Sequence, residues 1–335
     1  MFNKIYDKIK KFFKENILYI GILVFIYAIC NIPFPYYIDA PGTVINVEDR
    51  IIVDSAYESE GSMYMASVTE IKGIIPTLLW ALIDKDQDIA KKEEKVYNNE
   101  TYEEANIRAH LMLNDSTNNA TIVAFKAAGK SYEIINSKLF VAYIDAQAET
   151  DLKIGDEIIS LNGKPINDVN NIKDTVNASK IGDKITILVK RNGKELNTSS
   201  TVFVNNDIKY IGISVIVDYD VSTVPEVKFN FKNSESGPSG GLMLSLAIYN
   251  SLVEEDITKG KKIVGTGTID VDGNVGAIGG VKYKIAAAVK AKADLFLVPM
   301  DNYEEAQQIV REHNYKINLI AVSTFEEALD KLSKM

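Results

Sequence analysis

Cysteine and histidine are scarce in this chain of 335 residues: Cys30 is the only cysteine, and His110 and His313 are the only histidines. A single cysteine excludes disulfide bonds within the chain and zinc sites built from cysteines. Two histidines so far apart in sequence exclude a histidine-rich site, so we expect no metal centre. Basic residues are also outnumbered, with 37 Lys and Arg against 46 Asp and Glu and a net charge of −9. Such an acidic chain repels phosphate backbones, which argues against nucleic-acid binding.

The N-terminal part of the chain joins positive charge to a long apolar run. We predict a basic cytoplasmic segment over residues 1–16 and a transmembrane anchor over residues 17–37, since lysines before an apolar run stay in the cytoplasm. Everything after the anchor would then be extracytoplasmic, which places the chain in the cell membrane as a single-pass protein. A cleaved signal peptide shows the same pattern, but Ala28 and Cys30 flank an isoleucine in a poor cleavage site. A buried core helix is the remaining alternative.

Residues 38–124 show weaker patterns, and we predict an extracytoplasmic linking region there. Within it, Ile74–Ile83, which includes Trp80, is typical of a short apolar helix or a segment at the membrane interface. Gly129–Ser131 is similar to the end of a P-loop, but Ala124 stands where that motif needs its first glycine. We therefore reject a nucleotide site, and we expect neither ATP nor another cofactor.

Residues 125–205 resemble a PDZ domain in the order of their predicted strands, in the motif Leu152–Asp156 and in two Asn-Gly turns around a predicted helix. PDZ domains usually bind the extended C-terminus of a partner by adding it as a strand to a sheet edge. The resemblance implies a peptide-binding strand, which we place at Leu139, Phe140 and Val141. A spacer that only positions the next domain is the alternative.

Ser239 lies in the glycine-rich segment Glu235–Gly241, just before the apolar helix predicted over Gly241–Val253. The start of a helix presents unpaired N–H groups, which suits the binding of an oxyanion beside a serine nucleophile, and we expect the N–H groups around Gly237–Ser239 to bind it. Gly-x-Ser-x-Gly is also the nucleophile elbow of α/β-hydrolases. That esterase-type alternative needs a histidine after the serine, and only His313 follows, in a polar helix-like stretch.

Two lysines, Lys282 and Lys284, open the next predicted helix after Gly279 and Gly280. A lysine can activate a serine only when its amine is neutral, and lowering the pKa from ~10.4 to ~7.5 costs about 4 kcal/mol. The first turn of a helix disfavours an added positive charge. Alanines on the same face give Lys284 apolar surroundings, but the spacing alone leaves Lys282 as an alternative base.

Four motifs over residues 207–335 resemble the proteolytic domain of Lon-type Ser-Lys proteases: Ser236–Gly241, Gly265–Ile269, Ile278–Ile285 and Val298–Asn302. The resemblance implies that Ser239 is the nucleophile and Lys284 the base of a catalytic dyad. It further implies that Thr266 orients the lysine and that Gly237 and Pro238 support the serine loop. One departure is Ser236, where ATP-dependent Lon proteases typically carry aspartate before Gly-Pro, and it leaves open how the serine loop is ordered.

With the apolar segment and the PDZ-like domain in front, the whole chain resembles the membrane-anchored, PDZ-containing Lon-like proteases of Gram-positive bacteria. The expected fold is a transmembrane helix, a β-rich PDZ-like domain and a C-terminal α/β (α+β) proteolytic domain. The resemblance implies an ATP-independent serine endopeptidase that cleaves unfolded or membrane-proximal extracytoplasmic proteins, with the PDZ domain recruiting substrates or gating the site. The expected partners are protein or peptide substrates and the membrane, with a homo-oligomer as a further option. A catalytically silent, anchored PDZ scaffold is the non-enzyme alternative.

Overall fold

A computed structural model describes residues 2–97 and 100–335 of the chain; Met1, in the predicted N-terminal segment, and Asn98 and Asn99, in the predicted linking region, lie outside the described residues. The α-helices are α1 Phe2–Cys30, α2 Ile75–Ala81, α3 Tyr102–Ala127, α4 Val169–Ala178, α5 Gly241–Leu252, α6 Val281–Lys290, α7 Tyr303–His313 and α8 Phe325–Ser333. Short 3-10 helices span Lys92–Lys95 and Met300–Asn302.

The strands are β1 Tyr36–Asn46, β2 Ile51–Val53, β3 Ser62–Lys72, β4 Asp88–Lys91, β5 Ser131–Ile144, β6 Glu157–Leu161, β7 Lys164–Pro165, β8 Lys184–Arg191, β9 Lys194–Thr201, β10 Phe203–Asn205, β11 Ile208–Tyr210, β12 Ile213–Val224, β13 Val227–Phe229, β14 Lys262–Gly265, β15 Thr268–Ile269, β16 Val275–Gly276, β17 Leu295–Pro299 and β18 Leu319–Val322. The chain divides into two compact units, and β1 and β3 contribute residues to both.

The first unit comprises residues 1–41 and 68–95 and contains α1 and α2. Within α1, Ile5–Cys30 is long and apolar enough to cross a membrane, a property that an N-terminal signal sequence shares. The predicted anchor extends to residue 37, whereas the helix ends at Cys30. The reason lies in the two prolines at positions 33 and 35, which lack the N–H that a helix needs, and Tyr36 already begins β1.

The second unit comprises residues 42–67 and 96–335, and one of its sheets has the strand order β12-β5-β6-β8-β9. Its β5–β9 strands and α4 give the predicted PDZ architecture, with alternating apolar residues turned into one core. The sheet also includes β12, from the range that we predict as proteolytic domain, because β12 pairs antiparallel with β5 from Ile213 to Val224.

A second, six-stranded sheet has the order β18-β17-β14-β3-β1-β4, and its strands β14, β17 and β18 pack with α5 and α8 in one core. The strand β14 pairs in parallel with β17 on one side and with β3 on the other. Residues 42–67 therefore supply part of the sheet and core beneath the serine loop, rather than only linking two domains as predicted. The contributing core residues from that range are Val47, Ile51, Met63 and Met65.

Helix α3 packs against α5 and against the strands β5 and β12. A capping box starts it, in which Thr101 and Glu104 bind each other's backbone N–H. The helix is 26 residues long, and its C-terminal half is buried against α5, β5 and β12. Ala120, Val123 and Phe125 belong to the same core cluster as the buried residues of α5, so α3 is part of the core around the serine loop.

Candidate active site

Ser239 is half-buried in the loop that leads into α5. Its backbone carbonyl accepts two hydrogen bonds, from the Gly267 N–H at 2.8 Å and from the Thr266 hydroxyl at 2.9 Å. Thr266 is fully buried, and its own N–H donates to the Leu297 carbonyl at 3.0 Å. The predicted site residues Ser239 and Thr266 are therefore in direct contact, and the contact runs through the backbone of the serine.

The segment that reaches Ser239 is a break between two short strands. The structure ends β14 at Gly265 and starts β15 at Thr268. Between them, Gly267 passes so close to its neighbours that an added Cβ atom would lie 2.9 Å from Val275 Cγ1. A glycine is therefore required at position 267, and the break turns the Thr266 and Gly267 donors toward the serine.

Helix α3 holds the serine loop from the other side. The Gly237 N–H donates to the Ala109 carbonyl at 2.9 Å, and the Ser116 hydroxyl donates to the Pro238 carbonyl at 3.1 Å. Ser116 is only 1% exposed, so the Pro238 carbonyl gives its buried hydroxyl a hydrogen-bond partner in place of water. The sequence analysis did not predict a role for Ser116. This residue lies 122 positions before Pro238, and no local sequence pattern predicts a contact over that separation.

A bidentate ion pair fixes the start of the same loop. The Arg50 guanidinium donates to both carboxylate oxygens of Glu235, with each N–O distance 2.8 Å. Burial alone would raise the pKa of Glu235, but the bonds from Arg50 and from the Lys232 N–H outweigh it and lower that pKa. Such a fork-to-carboxylate pair fixes orientation as well as distance. It gives the loop an anchor adjacent to Ser236, which is exposed.

The N–H groups available for an oxyanion differ from those that we predict around Gly237–Ser239. The Gly237 N–H is occupied by the Ala109 carbonyl, and Pro238 has no N–H. Among residues 2–97 and 100–335, no acceptor is bound by the N–H of Ser239 or of Gly240. These two adjacent donors at the start of α5 form the candidate oxyanion site, while Gly237 and Pro238 shape the loop.

Lys284 lies in the first turns of α6 and is only 4% exposed. Burial lowers its pKa to about 8. Within the described part of the chain, its ammonium has no hydrogen-bond or ion-pair partner. The rival Lys282 is half-buried, with its ammonium 5.7 Å from the centre of the Tyr283 ring. The difference in burial therefore favours Lys284 over Lys282 as the base, a choice that their spacing in the sequence left open.

Asn302 fixes the turn before α6. Its side-chain oxygen accepts the Ile278 N–H at 2.8 Å, and its side-chain nitrogen donates to the Ile278 carbonyl at 3.1 Å. Two residues further on, Gly280 adopts φ 70° and caps the helix. The Asn302 amide therefore bonds both backbone groups of Ile278, as a neighbouring strand would, and fixes the position at which the helix that carries Lys284 begins. The sequence marked Asn302 as part of a motif without giving it a role.

The predicted peptide-binding residues of the PDZ domain are not at a free sheet edge. Leu139 and Phe140 pair with β6 on one side and with β12 on the other. Val141 pairs with Val215 of β12, and its N–H donates to the Asp156 carbonyl. Because both backbone edges are used, a partner cannot add as a strand at these three residues. The prediction fails there because β12, from beyond the expected domain boundary, takes that place.

The esterase-type alternative would require His313 near the serine. The structure places His313 as the last residue of α7, where its ring centre lies 5.1 Å from that of Tyr315. The structure therefore gives this histidine an aromatic contact at the end of a helix.

Two families match parts of the chain: residues 231–334 match the Lon protease (S16) C-terminal proteolytic domain, and residues 118–202 match the PDZ domain. The chain is 26% identical over 144 residues to a Lon protease of Aster yellows witches'-broom phytoplasma, covering 43% of this chain and 16% of that protein. It is 25% identical over 205 residues to Lon protease 2 of Borreliella burgdorferi, covering 60% and 25%. With a Lon protease of Campylobacter jejuni, 36% identity over 97 residues covers 29% and 12%. The chain thus spans a quarter or less of the length of these relatives.

Proposed function

We propose that this chain, which carries a Lon-type serine peptidase domain and a PDZ domain, is a membrane-anchored serine endopeptidase with Ser239 as nucleophile and Lys284 as base. The observation that supports this most strongly is the state of Lys284, a buried lysine with a pKa lowered to about 8 and without a counter-charge in the described ranges. A lysine that only stabilised the fold would need an acidic partner to offset its burial. A lysine kept dry and unpaired suits proton transfer near neutral pH.

In the proposed mechanism, the neutral amine of Lys284 accepts the hydroxyl proton of Ser239 while the serine oxygen attacks the scissile carbonyl carbon. The N–H groups of Ser239 and Gly240 hold the resulting oxyanion. As the C–N bond breaks, the Lys284 ammonium gives its proton to the departing amine, and the acyl group remains as an ester on Ser239. A water then loses a proton to Lys284 and attacks the ester. As the bond between the acyl carbon and the Ser239 oxygen breaks, the Lys284 ammonium returns that proton to the serine oxygen, which releases the acid and leaves both residues as they began.

Thr266 is proposed to position both members of the dyad. Its hydroxyl hydrogen is used by the Ser239 carbonyl, which fixes the serine backbone. The same hydroxyl oxygen keeps its capacity to accept a bond, and we propose that it accepts one from Lys284. Gly237 and Pro238 act through the shape of the loop, since α3 holds the backbone of both.

The proposed location rests on α1. We propose that α1 crosses the cytoplasmic membrane once, with the lysine-rich N-terminus in the cytoplasm and the peptidase domain outside. The sequence has no Walker A motif, so we propose hydrolysis without ATP. Substrates would be unfolded, flexible or membrane-proximal proteins. Complete degradation of a stable folded protein by the purified chain would contradict this part of the proposal.

For the PDZ domain we propose gating of the active site in preference to peptide capture at β5. Helix α3, which holds Gly237 and Pro238, also contacts the PDZ sheet. Its Asn118 side chain donates to Asp218 of β12 at 2.8 Å, and Arg108 donates to the Tyr143 hydroxyl of β5 at 3.4 Å. A partner that shifts the PDZ strands would therefore act on a helix in direct contact with the serine loop.

The test is hydrolysis of an unstructured, fluorescently labelled protein by the full chain in detergent micelles. We expect activity to be lost in Ser239→Ala and Lys284→Ala and kept in Lys282→Ala and His313→Ala. Loss in Lys282→Ala with retention in Lys284→Ala would overturn the assignment of the base. Loss in His313→Ala would favour the esterase-type triad, and a folded but inactive unmodified chain would favour the silent scaffold.

A further inference from the structure

The helix α2 and the turn after it expose a compact group of large apolar side chains. Leu79, Trp80, Leu82 and Ile83 are 58%, 61%, 73% and 80% exposed. Single exposed apolar residues are common on soluble proteins, but four within five consecutive positions form a continuous patch. We call these four residues the α2 patch. Its exposure indicates a surface that something apolar covers.

The α2 patch lies next to the end of α1. The Phe34 N–H donates to the Gly73 carbonyl at 2.8 Å, and the Gly73 N–H donates to the Tyr36 carbonyl at 2.8 Å. Phe34 follows closely after Cys30, the last residue of α1, and α2 begins at Ile75. These two hydrogen bonds therefore hold the start of α2 against the first residues beyond the apolar helix.

The start of α2 is fixed by local contacts. Pro76 occupies its first turn, where the missing N–H costs nothing. The Thr77 hydroxyl accepts the Ile74 N–H at 3.0 Å and donates to the Lys72 carbonyl at 3.1 Å. The α2 patch is thus carried by a short helix with a defined start rather than by a loose loop.

We propose that the α2 patch inserts into the outer interface of the same membrane that α1 crosses. The inference rests on the proposed anchoring by α1. If α1 spans the bilayer, its end at Cys30 marks the outer interface. Gly73, which is hydrogen-bonded to Phe34 and Tyr36 just beyond that end, leads directly into α2, so the patch lies at the level of the lipid headgroups. Tryptophan is enriched at that level because its ring is apolar and its N–H is polar. Exposed lysines flank the patch at Lys72 and Lys85, where their ammonium groups suit lipid phosphates.

The experiment uses the only tryptophan in the chain, Trp80, as its own probe. The full chain is reconstituted into vesicles of phosphatidylcholine and phosphatidylglycerol, with or without lipids brominated near the top of the acyl chain. We expect a blue-shifted emission, strong quenching by the brominated lipids and weak quenching by acrylamide. An emission typical of water, quenched by acrylamide and not by brominated lipids, would overturn the proposal. A blue-shifted emission without bromine quenching would overturn it too, since a protein surface would then cover the patch.

Flotation of the vesicles separates this inference from the anchor. A chain that does not float with the vesicles removes the anchor and the inference together, whereas a chain that floats with Trp80 unquenched removes only the inference. In the variant Leu82→Asp/Ile83→Asp, we expect flotation to persist and bromine quenching of Trp80 to fall several-fold. The matched control is Ile208→Asp, which changes a 55% exposed isoleucine of the second unit and should leave the quenching unchanged. Equal quenching in Leu82→Asp/Ile83→Asp and the unmodified chain would contradict insertion of the patch.

Discussion

Replacing Lys284 by methionine is expected to abolish hydrolysis and to stabilise the fold at the same time. Methionine is unbranched and flexible and fills a similar space without a charge. Burial lowers the pKa of Lys284 from its ordinary value of about 10.5 to about 8. Because each pKa unit corresponds to about 1.4 kcal/mol, the buried ammonium reduces the free energy of unfolding by about 3 kcal/mol at pH 7. Lys284→Met should recover an amount of that order.

The stability difference between Lys284→Met and the unmodified chain should depend on pH in a defined direction. The folded-state pKa lies below the unfolded-state value, so between about pH 8 and pH 10.5 the unfolded chain binds more protons than the folded chain. The stability of the unmodified chain therefore rises with pH across that window. The advantage of Lys284→Met should shrink from about 3 kcal/mol at pH 7 to about 1 kcal/mol at pH 10. Since the base must be neutral, kcat/KM of the unmodified enzyme should rise with pH to a plateau above an apparent pKa near 8.

The assay is urea unfolding of the full chain in detergent micelles, followed by circular dichroism at several pH values. Lys282→Met is the control, because that side chain is half-buried and should give no comparable stabilisation. A Lys284→Met chain that is less stable than the unmodified one, or a difference that does not change with pH, would refute the reasoning. Lys284 would then be a charged lysine paired in the fold, unfit to accept a proton from Ser239.

Two further predictions concern the contacts that hold the serine backbone. Thr266→Val removes the hydroxyl bound to the Ser239 carbonyl and should lower kcat at least tenfold at a cost of about 1 kcal/mol in stability, whereas Thr266→Ser should restore most of the rate. Ser116→Ala removes the side-chain donor to the Pro238 carbonyl, which then keeps only the Gly241 N–H at 3.1 Å, and should lower kcat with little change in KM, while costing about 1 kcal/mol in unfolding. Ser251→Ala, which removes a hydroxyl bound to a carbonyl within α5, should affect stability alone; equal kinetic effects of the two serine variants would argue against positioning by α3.

The local parts of the fold and site could be predicted from the sequence. Local sequence patterns predict the two helices next to the candidate dyad: an apolar run predicts α5, and an alanine-rich face predicts α6. The elements that carry Ser239 and Lys284 were therefore predictable within a few residues. The PDZ domain and the peptidase domain were predictable from the order of their motifs and are confirmed by the matching families. The apolar helix α1 was predictable from its length and composition.

Contacts between distant parts of the chain could not be predicted in the same way. β14 pairs with β3, which lies about two hundred residues earlier in the chain. No local pattern in Ser62–Met65 predicts this pairing. The pairing of β12 with β5 could not be predicted for the same reason. Because β12 occupies that edge of β5, a partner strand cannot add at Leu139, Phe140 and Val141. The hydrogen bonds from α3 to the serine loop depend on tertiary packing alone. The sequence analysis therefore did not identify Ser116 as part of the site.

Helix α3 has a consequence for how this molecule can be divided. The matching peptidase family covers residues 231–334, yet the helix that holds Gly237 and Pro238 ends at Ala127 and runs directly toward β5 of the PDZ sheet. A fragment cut at the family boundary would lack β3, α3 and the core side chains that they press against α5. The peptidase is therefore not a portable module: a fusion or truncation that keeps an ordered Ser239 has to retain residues 42–67 and 101–127 as well. The PDZ strands lie between α3 and β12 in the chain, so the segments that surround Ser239 come from both sides of the PDZ domain.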